Sequence, residues 1–130
     1  MVEIDFQKSG GLVPAIIQDG SNGDVLMLGF MNAESLAETR RTGEVVFFSR
    51  SRNKLWKKGE SSGHILRVRE MRVDCDADAL LVRVEAVGPG VCHEGYRSCF
   101  FRSIEADGNA KIISGRTFAP EKVYGKEKSR

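Results

Sequence analysis

Two short apolar runs, residues 12–17 and 24–30, flank the cluster Gln18-Asp19-Gly20-Ser21-Asn22-Gly23. Apolar runs of strand length on either side of turn formers predict a β-hairpin. The next stretch has a different pattern. Asn32 can accept hydrogen bonds from the N–H groups at a helix start, Leu36 and Ala37 offer an inner face, and Gly43 follows Arg40-Arg41 as a stop. One helix of about three turns is predicted between these caps. Beyond it, β-rich pieces recur at residues 44–49, 55–57, 65–73 and 79–87. Their alternation is clearest where Ile65, Arg67 and Arg69 fall against Leu66 and Val68. The expected fold class is mainly β, of the α+β type, with one short helix in the N-terminal half. Residues 121–130 carry six charged side chains and few apolar ones, which predicts a frayed end.

No internal repeat, low-complexity tract or Pro/Ser-rich linker divides the chain, so a single domain over residues 1–130 is expected. A chain of 130 residues, 41% hydrophobic, can bury roughly two-thirds of its unfolded surface and needs no staples. No apolar run approaches the ~20 residues of a membrane span. The start Met1-Val2-Glu3-Ile4-Asp5 lacks the basic and apolar regions of a signal peptide, so a cytoplasmic location without a membrane partner is expected. The 20 basic and 18 acidic side chains leave a net charge of +2. That field is too weak to make nucleic acid a default partner, despite a sequence pI of 8.5. The three cysteines are an odd number without an export signal and read as reduced thiols or metal ligands.

Three clusters carry chemistry. In Asp74-Cys75-Asp76-Ala77-Asp78 the carboxylates alternate. If the segment is extended, a period of two puts Asp74, Asp76 and Asp78 on one face and Cys75 on the other. Carboxylates about 7 Å apart on one strand face repel, and a hard cation such as magnesium would gather their oxygens. A polar turn between strands is the alternative. A calcium loop is excluded, since its glycine and terminal glutamate are missing. In the second cluster, Cys92 and Cys99 stand seven positions apart in a glycine-rich segment that can fold back. With Cys75 they make three thiolates, and three protein ligands with a vacant fourth position are the arrangement of a hydrolytic zinc. His93, beside a ligand, could then serve as a base. The alternative is that the cysteines are small buried hydrophobes and the histidine structural. The third cluster, residues 48–64, combines five cations, four serines and two glycines. Such a segment suits phosphate groups, and Trp56 within it could stack on a base, although a solvated hairpin tip explains the same charges.

In order along residues 11–101, the blocks Gly11-Leu12-Val13-Pro14-Ala15-Ile16-Ile17-Gln18-Asp19, Val25-Leu26-Met27-Leu28-Gly29-Phe30-Met31-Asn32, Ser49-Arg50-Ser51-Arg52, Leu55-Trp56-Lys57-Lys58-Gly59-Glu60-Ser61-Ser62-Gly63-His64, Asp74-Cys75-Asp76-Ala77-Asp78-Ala79-Leu80-Leu81, Cys92-His93 and Ser98-Cys99-Phe100 resemble phosphoribosyl-AMP cyclohydrolases. Two departures stand in the thiol block. The usual Pro-X-Cys-His-Thr-Gly is here Pro89-Gly90-Val91-Cys92-His93-Glu94-Gly95, with one extra residue and Glu94 in place of Thr. The resemblance implies a small, partly open β-barrel in an intertwined homodimer with shared active sites. It also implies a cyclic amidine hydrolase, in which a zinc-activated water opens the adenine ring of N1-(5-phosphoribosyl)-AMP between N1 and C6, the third step of L-histidine biosynthesis. Carried over, the zinc ligands fall on Cys75, Cys92 and Cys99, with Cys75 from the dimer partner, and the magnesium ligands on Asp74, Asp76 and Asp78. Arg50, Arg52, Lys57, Ser61, Ser62 and Gly63 are then expected to hold the two phosphates of a small-molecule nucleotide. His93 is the first candidate for the proton carrier and His64 the second. Some family members carry a second, pyrophosphohydrolase domain; at 130 residues none is expected here. The competing classes predict other behaviour: a zinc-stabilised module for single-stranded nucleic acid would show salt-sensitive binding without turnover. A zinc deaminase would need His-X-Glu and Pro-Cys-X-X-Cys blocks that are absent. A magnesium phosphohydrolase would leave the cysteines without a purpose.

Overall fold

A computed structural model describes residues 2–124. The expected hairpin is present as β1 (Val13–Asp19) and β2 (Val25–Met31), paired antiparallel with a register irregularity between Ile17 and Gln18. Its turn is held by its own polar residues. Asp19 Oδ1 accepts from the Ser21 N–H at 2.8 Å, and Asn22 Oδ1 accepts from the Asp24 N–H at 2.9 Å. The helix α1 (Ala33–Thr42) begins and ends at the expected caps. Asn32 Oδ1 accepts from the Ser35 N–H at 2.8 Å, Ser35 Oγ accepts from the Asn32 N–H at 2.9 Å, and Gly43 takes the left-handed conformation. The inner face of α1 differs from expectation. Ser35 and Thr39 are the buried positions, while Leu36 is half-buried and Ala37 exposed. The reason is a hydrogen bond rather than apolar area: Thr39 Oγ1 donates to the Ser35 carbonyl at 2.8 Å and accepts from the Val46 N–H at 3.0 Å, pinning the helix to the following strand.

The remaining strands are β3 (Val46–Ser49), β4 (Lys54–Lys57), β5 (Leu66–Val73), β6 (Leu80–Ala86), β7 (Arg102–Ile104) and β8 (Ala110–Ile112). The main sheet has the order β2-β1-β6-β5, in which β1 and β6 run parallel and the outer pairs antiparallel. Alternate residues of the central strands point inward. Val13, Ala15 and Ile17 of β1 and Leu80, Val82 and Val84 of β6 are buried in one core with Leu26, Met31, Phe47 and Leu66. In β5 the register shifts between Val68 and Glu70, so the inward set changes phase from Leu66 and Val68 to Met71 and Val73. The hairpins β3–β4 and β7–β8 form separate two-stranded ribbons. The first is tied to the main sheet by backbone bonds from Val45 N–H to the Leu66 carbonyl and from Val68 N–H to the Gly43 carbonyl, 3.0 and 2.8 Å.

The frayed end expected from residue 121 is corrected in part. Pro120–Val123 forms a short helical turn, α2, because Pro120 supplies a preset first helical position and is itself buried; residues 125–130 lie outside the described residues. Among the described residues no helix is long and apolar enough to cross a membrane.

Candidate active site

Of the two conformations open to the acidic segment, it takes the polar turn, between β5 and β6, and not the extended strand, so the opposite faces that a strand would give the aspartates and Cys75 do not arise. Ala77 takes a left-handed φ of 63°, and Asp74 folds the turn by accepting at Oδ1 from the N–H groups of Asp78 and Ala79, 3.0 and 3.1 Å. The turn gathers the carboxylates more tightly than a strand would. Ligand oxygens of Asp74, Asp76 and Asp78 lie within 4.8 Å of one another. Lys8 reaches into the group from the N-terminal segment, 3.1 Å from Asp76 Oδ2 and 3.3 Å from Asp78 Oδ2. That segment is anchored by the Asp5 N–H on the Ala77 carbonyl at 2.7 Å. Lys8 holds Asp76 below the usual carboxylate range, whereas hydrogen bonding to Asp76 and some desolvation raise Asp78. Three convergent, largely exposed carboxylates fit a hard divalent cation.

The second group forms where the glycine-rich segment folds back. Cys92 is 4% exposed and Cys99 is exposed. The Cys92 thiol is pulled down to about 6, first by its hydrogen bond with Cys99 and then by the N–H groups of Glu94 and Tyr96, which together outweigh its desolvation. A thiol that is ionised near neutral pH and paired with a second thiol fits a zinc ligand set. Close approach explains two of the glycines. A Cβ on Gly90 would lie 2.5 Å from the Tyr96 carbonyl oxygen, and one on Gly95 would lie 2.5 Å from that of Phe118. The loop is locked to the β1–β2 hairpin by Arg97, whose guanidinium meets Asp19 at 2.6 Å and Asp24 at 2.9 Å, and by the Cys99 N–H on the Leu26 carbonyl at 2.7 Å. Cys75 is exposed in the acidic turn. Among the described residues, Asp74, Asp76 and Asp78 form the only group of three or more His, Cys, Asp or Glu side chains with ligand atoms that close together. Cys75 therefore does not complete a three-thiolate group with Cys92 and Cys99 inside one chain.

The histidines differ in setting. His93 is half-buried, with Nε2 4.0 Å from Glu94 Oε2. His64 has Nδ1 2.9 Å from the Gly90 carbonyl and its ring edge-on to Phe118. A carbonyl only accepts, so Nδ1 carries the hydrogen and only Nε2 is left for other work.

The basic segment divides into two parts. Ser49, Arg50, Ser51 and Arg52 lie at the β3–β4 end and line a cavity of about 440 Å³ walled by Phe30, Phe48 and Trp56. Arg50 stacks over Phe30, 4.3 Å from the ring centroid. Lys57, Ser61, Ser62 and Gly63 do not line this cavity. Lys57 is paired with Glu44, and the turn holding Ser61, Ser62 and Gly63 closes with the Gly63 N–H on the Gly59 carbonyl at 2.8 Å. That turn leads into His64 and so to the thiol loop. Sequence reasoning missed Arg97 as the clamp of the loop and Lys58 as a buried lysine; in the run Lys57-Lys58 nothing distinguishes the exposed member from the buried one.

Residues 27–101 match the family model described as phosphoribosyl-AMP cyclohydrolase. Relatives of that name cover nearly the whole chain. The one from Solibacter usitatus is 58% identical over 124 residues, 95% of this chain and 98% of its own length. Those from Desulforapulum autotrophicum and Nitratidesulfovibrio vulgaris are 51% and 53% identical, over 95% and 92% of this chain and 99% and 94% of their own lengths. The matched span contains the acidic turn, the paired thiols and the cavity-lining arginines, and the chain belongs to the phosphoribosyl-AMP cyclohydrolase family.

Proposed function

We propose that this chain hydrolyses N1-(5-phosphoribosyl)-AMP, breaking the ring bond between N1 and C6, as the third step of L-histidine biosynthesis. The observation that carries the reading is the pairing of Cys92 with Cys99, which lowers the Cys92 thiol to about 6, in a chain of this family. Cys92 and Cys99, with Cys75 of a second copy, would hold zinc, which when bound lowers the pKa of a coordinated water toward neutrality. The oxygen of water ends on C6 and N1 takes a proton. His93, the residue after Cys92, moves that proton at Nε2, with Glu94 beside it as an orienting carboxylate. Arg50 and Arg52 at the 440 Å³ cavity hold phosphate, and the aromatic wall of Phe30, Phe48 and Trp56 receives the base. Lys57, paired with Glu44, and the Ser61-Ser62-Gly63 turn, which leads into His64, are assigned to the second phosphate. His64, with Nδ1 engaged, has Nε2 as its only group for a proton. Asp74, Asp76 and Asp78 would hold magnesium, whose charge compensates phosphate.

If all three thiols share one zinc, the separation of Cys75 from the other two within a chain calls for a homodimer. The outer face of the main sheet supports it, since Pro14, Ile16, Leu28, Phe30 and Leu81 present an apolar surface there and Leu28 is 42% exposed. The ties from Gly43 and Val45 to β5 support closure of the sheet and the β3–β4 hairpin into a small, partly open barrel. Cysteines outside disulfides suit the reducing cytoplasm. The test is the absorbance change of N1-(phosphoribosyl)-AMP with purified protein and magnesium, before and after zinc chelation. Turnover that disappears on chelation and returns with zinc is expected; no turnover by folded, zinc-loaded protein would refute the substrate.

A further inference from the structure

Lys58 follows β4 directly and is 6% exposed. A buried ammonium is costly unless it is hydrogen-bonded, so a lysine in such a place has a specific partner. Its backbone is fixed by its N–H on the Val45 carbonyl at 3.0 Å, and its Nζ donates to the Val91 carbonyl at 2.6 Å. Val91 is the residue before Cys92. One position earlier, the Gly90 carbonyl accepts from His64 Nδ1 at 2.9 Å. Two side chains of one short segment therefore grip two successive carbonyls of the strand of chain that delivers Cys92. On the donor side, the N–H groups of Val91 and Cys92 bond to the carbonyls of Arg97 and Tyr96, both at 3.1 Å. Lys58 Nζ also lies 5.5 Å from the Trp56 ring centroid, so the same ammonium stands between the aromatic wall of the cavity and the thiol loop.

We propose that Lys58 is a positioning residue of the thiolate centre, holding the Val91 carbonyl so that the Cys92 sulfur meets Cys99, and placing a positive charge beside a ligand set that is net negative when three thiolates surround a divalent ion. This inference rests on the zinc reading above. Outer partners that orient metal ligands change metal affinity when removed, typically about 10- to 100-fold. A lysine that merely filled space would change the stability of the zinc-free chain and leave zinc affinity alone.

The experiment compares the unsubstituted chain with Lys58→Met and Lys58→Gln. It measures the zinc dissociation constant by chelator competition, the sulfur-to-cobalt charge-transfer bands after cobalt substitution, and thermal unfolding of the zinc-free proteins. Lys58→Met, similar in size and apolar, is expected to weaken zinc about 10- to 100-fold and to shift the cobalt bands, with zinc-free unfolding unchanged or raised. Lys58→Gln keeps a donor for the Val91 carbonyl without the charge and is expected to fall between the two. If Lys58→Met does not fold, Lys58→Gln against the unsubstituted chain carries the same comparison. Equal zinc affinity in all three proteins, with tight stoichiometric zinc in the unsubstituted one, overturns the role of Lys58 and leaves the zinc reading standing. Failure of the unsubstituted chain itself to bind zinc overturns both.

Discussion

Asp19 is a turn residue that also anchors the thiol loop. Its carboxylate accepts from the N–H and hydroxyl of Ser21, 2.8 and 2.6 Å, and pairs with Arg97 at 2.6 Å. The Ser21 bonds, ahead of Arg97, hold it below its ordinary value of 3.8. A carboxyl lowered by folding contributes stability that is present above its unfolded pKa and is lost as pH falls through the folded one. Asp19→Asn is therefore expected to lose about 1–2 kcal/mol against the unsubstituted chain near neutral pH, and the gap should close in acid. Urea unfolding of both proteins from pH 7 to below pH 3 checks the sign; a gap that widened in acid would reject it. At Gly29 the constraint is steric: a Cβ would lie 2.5 Å from the Phe47 ring, so the aromatic core under the cavity requires a residue without one. The turn cluster around Asp19 was legible from its residue types, because Asx bonding is local. Arg97 was not, because its partners are more than seventy positions away.

Among the elements, the acidic segment takes the turn that the sequence left open beside the strand, and its carboxylates still converge. Alternating aspartates suggested one strand face, but Ala77 in the left-handed region and the bonds to Asp74 Oδ1 bend the segment instead. The turn brings the oxygens closer than strand spacing would, and Lys8 answers their charge. On the magnesium reading, Lys8 competes with the cation for Asp76 and Asp78. Lys8→Met is expected to tighten magnesium binding several-fold, and Asp76→Asn to weaken it by about tenfold, as read by titration calorimetry. A Lys8→Met affinity equal to that of the unsubstituted chain would remove the competition. The helix shows the opposite balance. Its ends were legible because caps are set by neighbouring residues, whereas its buried face is set by Thr39 bonding to Val46, a contact with another element.

For the molecule as a whole, the arrangement of thiols decides what a site requires. Cys92 and Cys99 meet within the chain, and Cys75 sits in a different loop. On the shared-site reading, an equal mixture of Cys75→Ala and Cys92→Ala subunits, each inactive alone, is expected to regain about one quarter of normal activity through heterodimers with one intact site. Subunit exchange confirmed by mass with no recovery would count against a shared site. The β7–β8 ribbon, with Ile104 85% exposed, lies outside the main core.

The residues alone were enough to establish the mainly β class, the first hairpin and the helix between Asn32 and Gly43. Each depends on side-chain type and on neighbours within a few positions, where steric and capping preferences act. Which strands pair was decided only by the tertiary structure, since the parallel contact of β1 with β6 joins residues some sixty-five positions apart. So were the phase shift in β5, the division of the basic segment between cavity and thiol loop, and the burial of Lys58 beside an exposed Lys57. The same residue types are compatible with several such arrangements, and only packing into one core with every buried polar group satisfied selects among them.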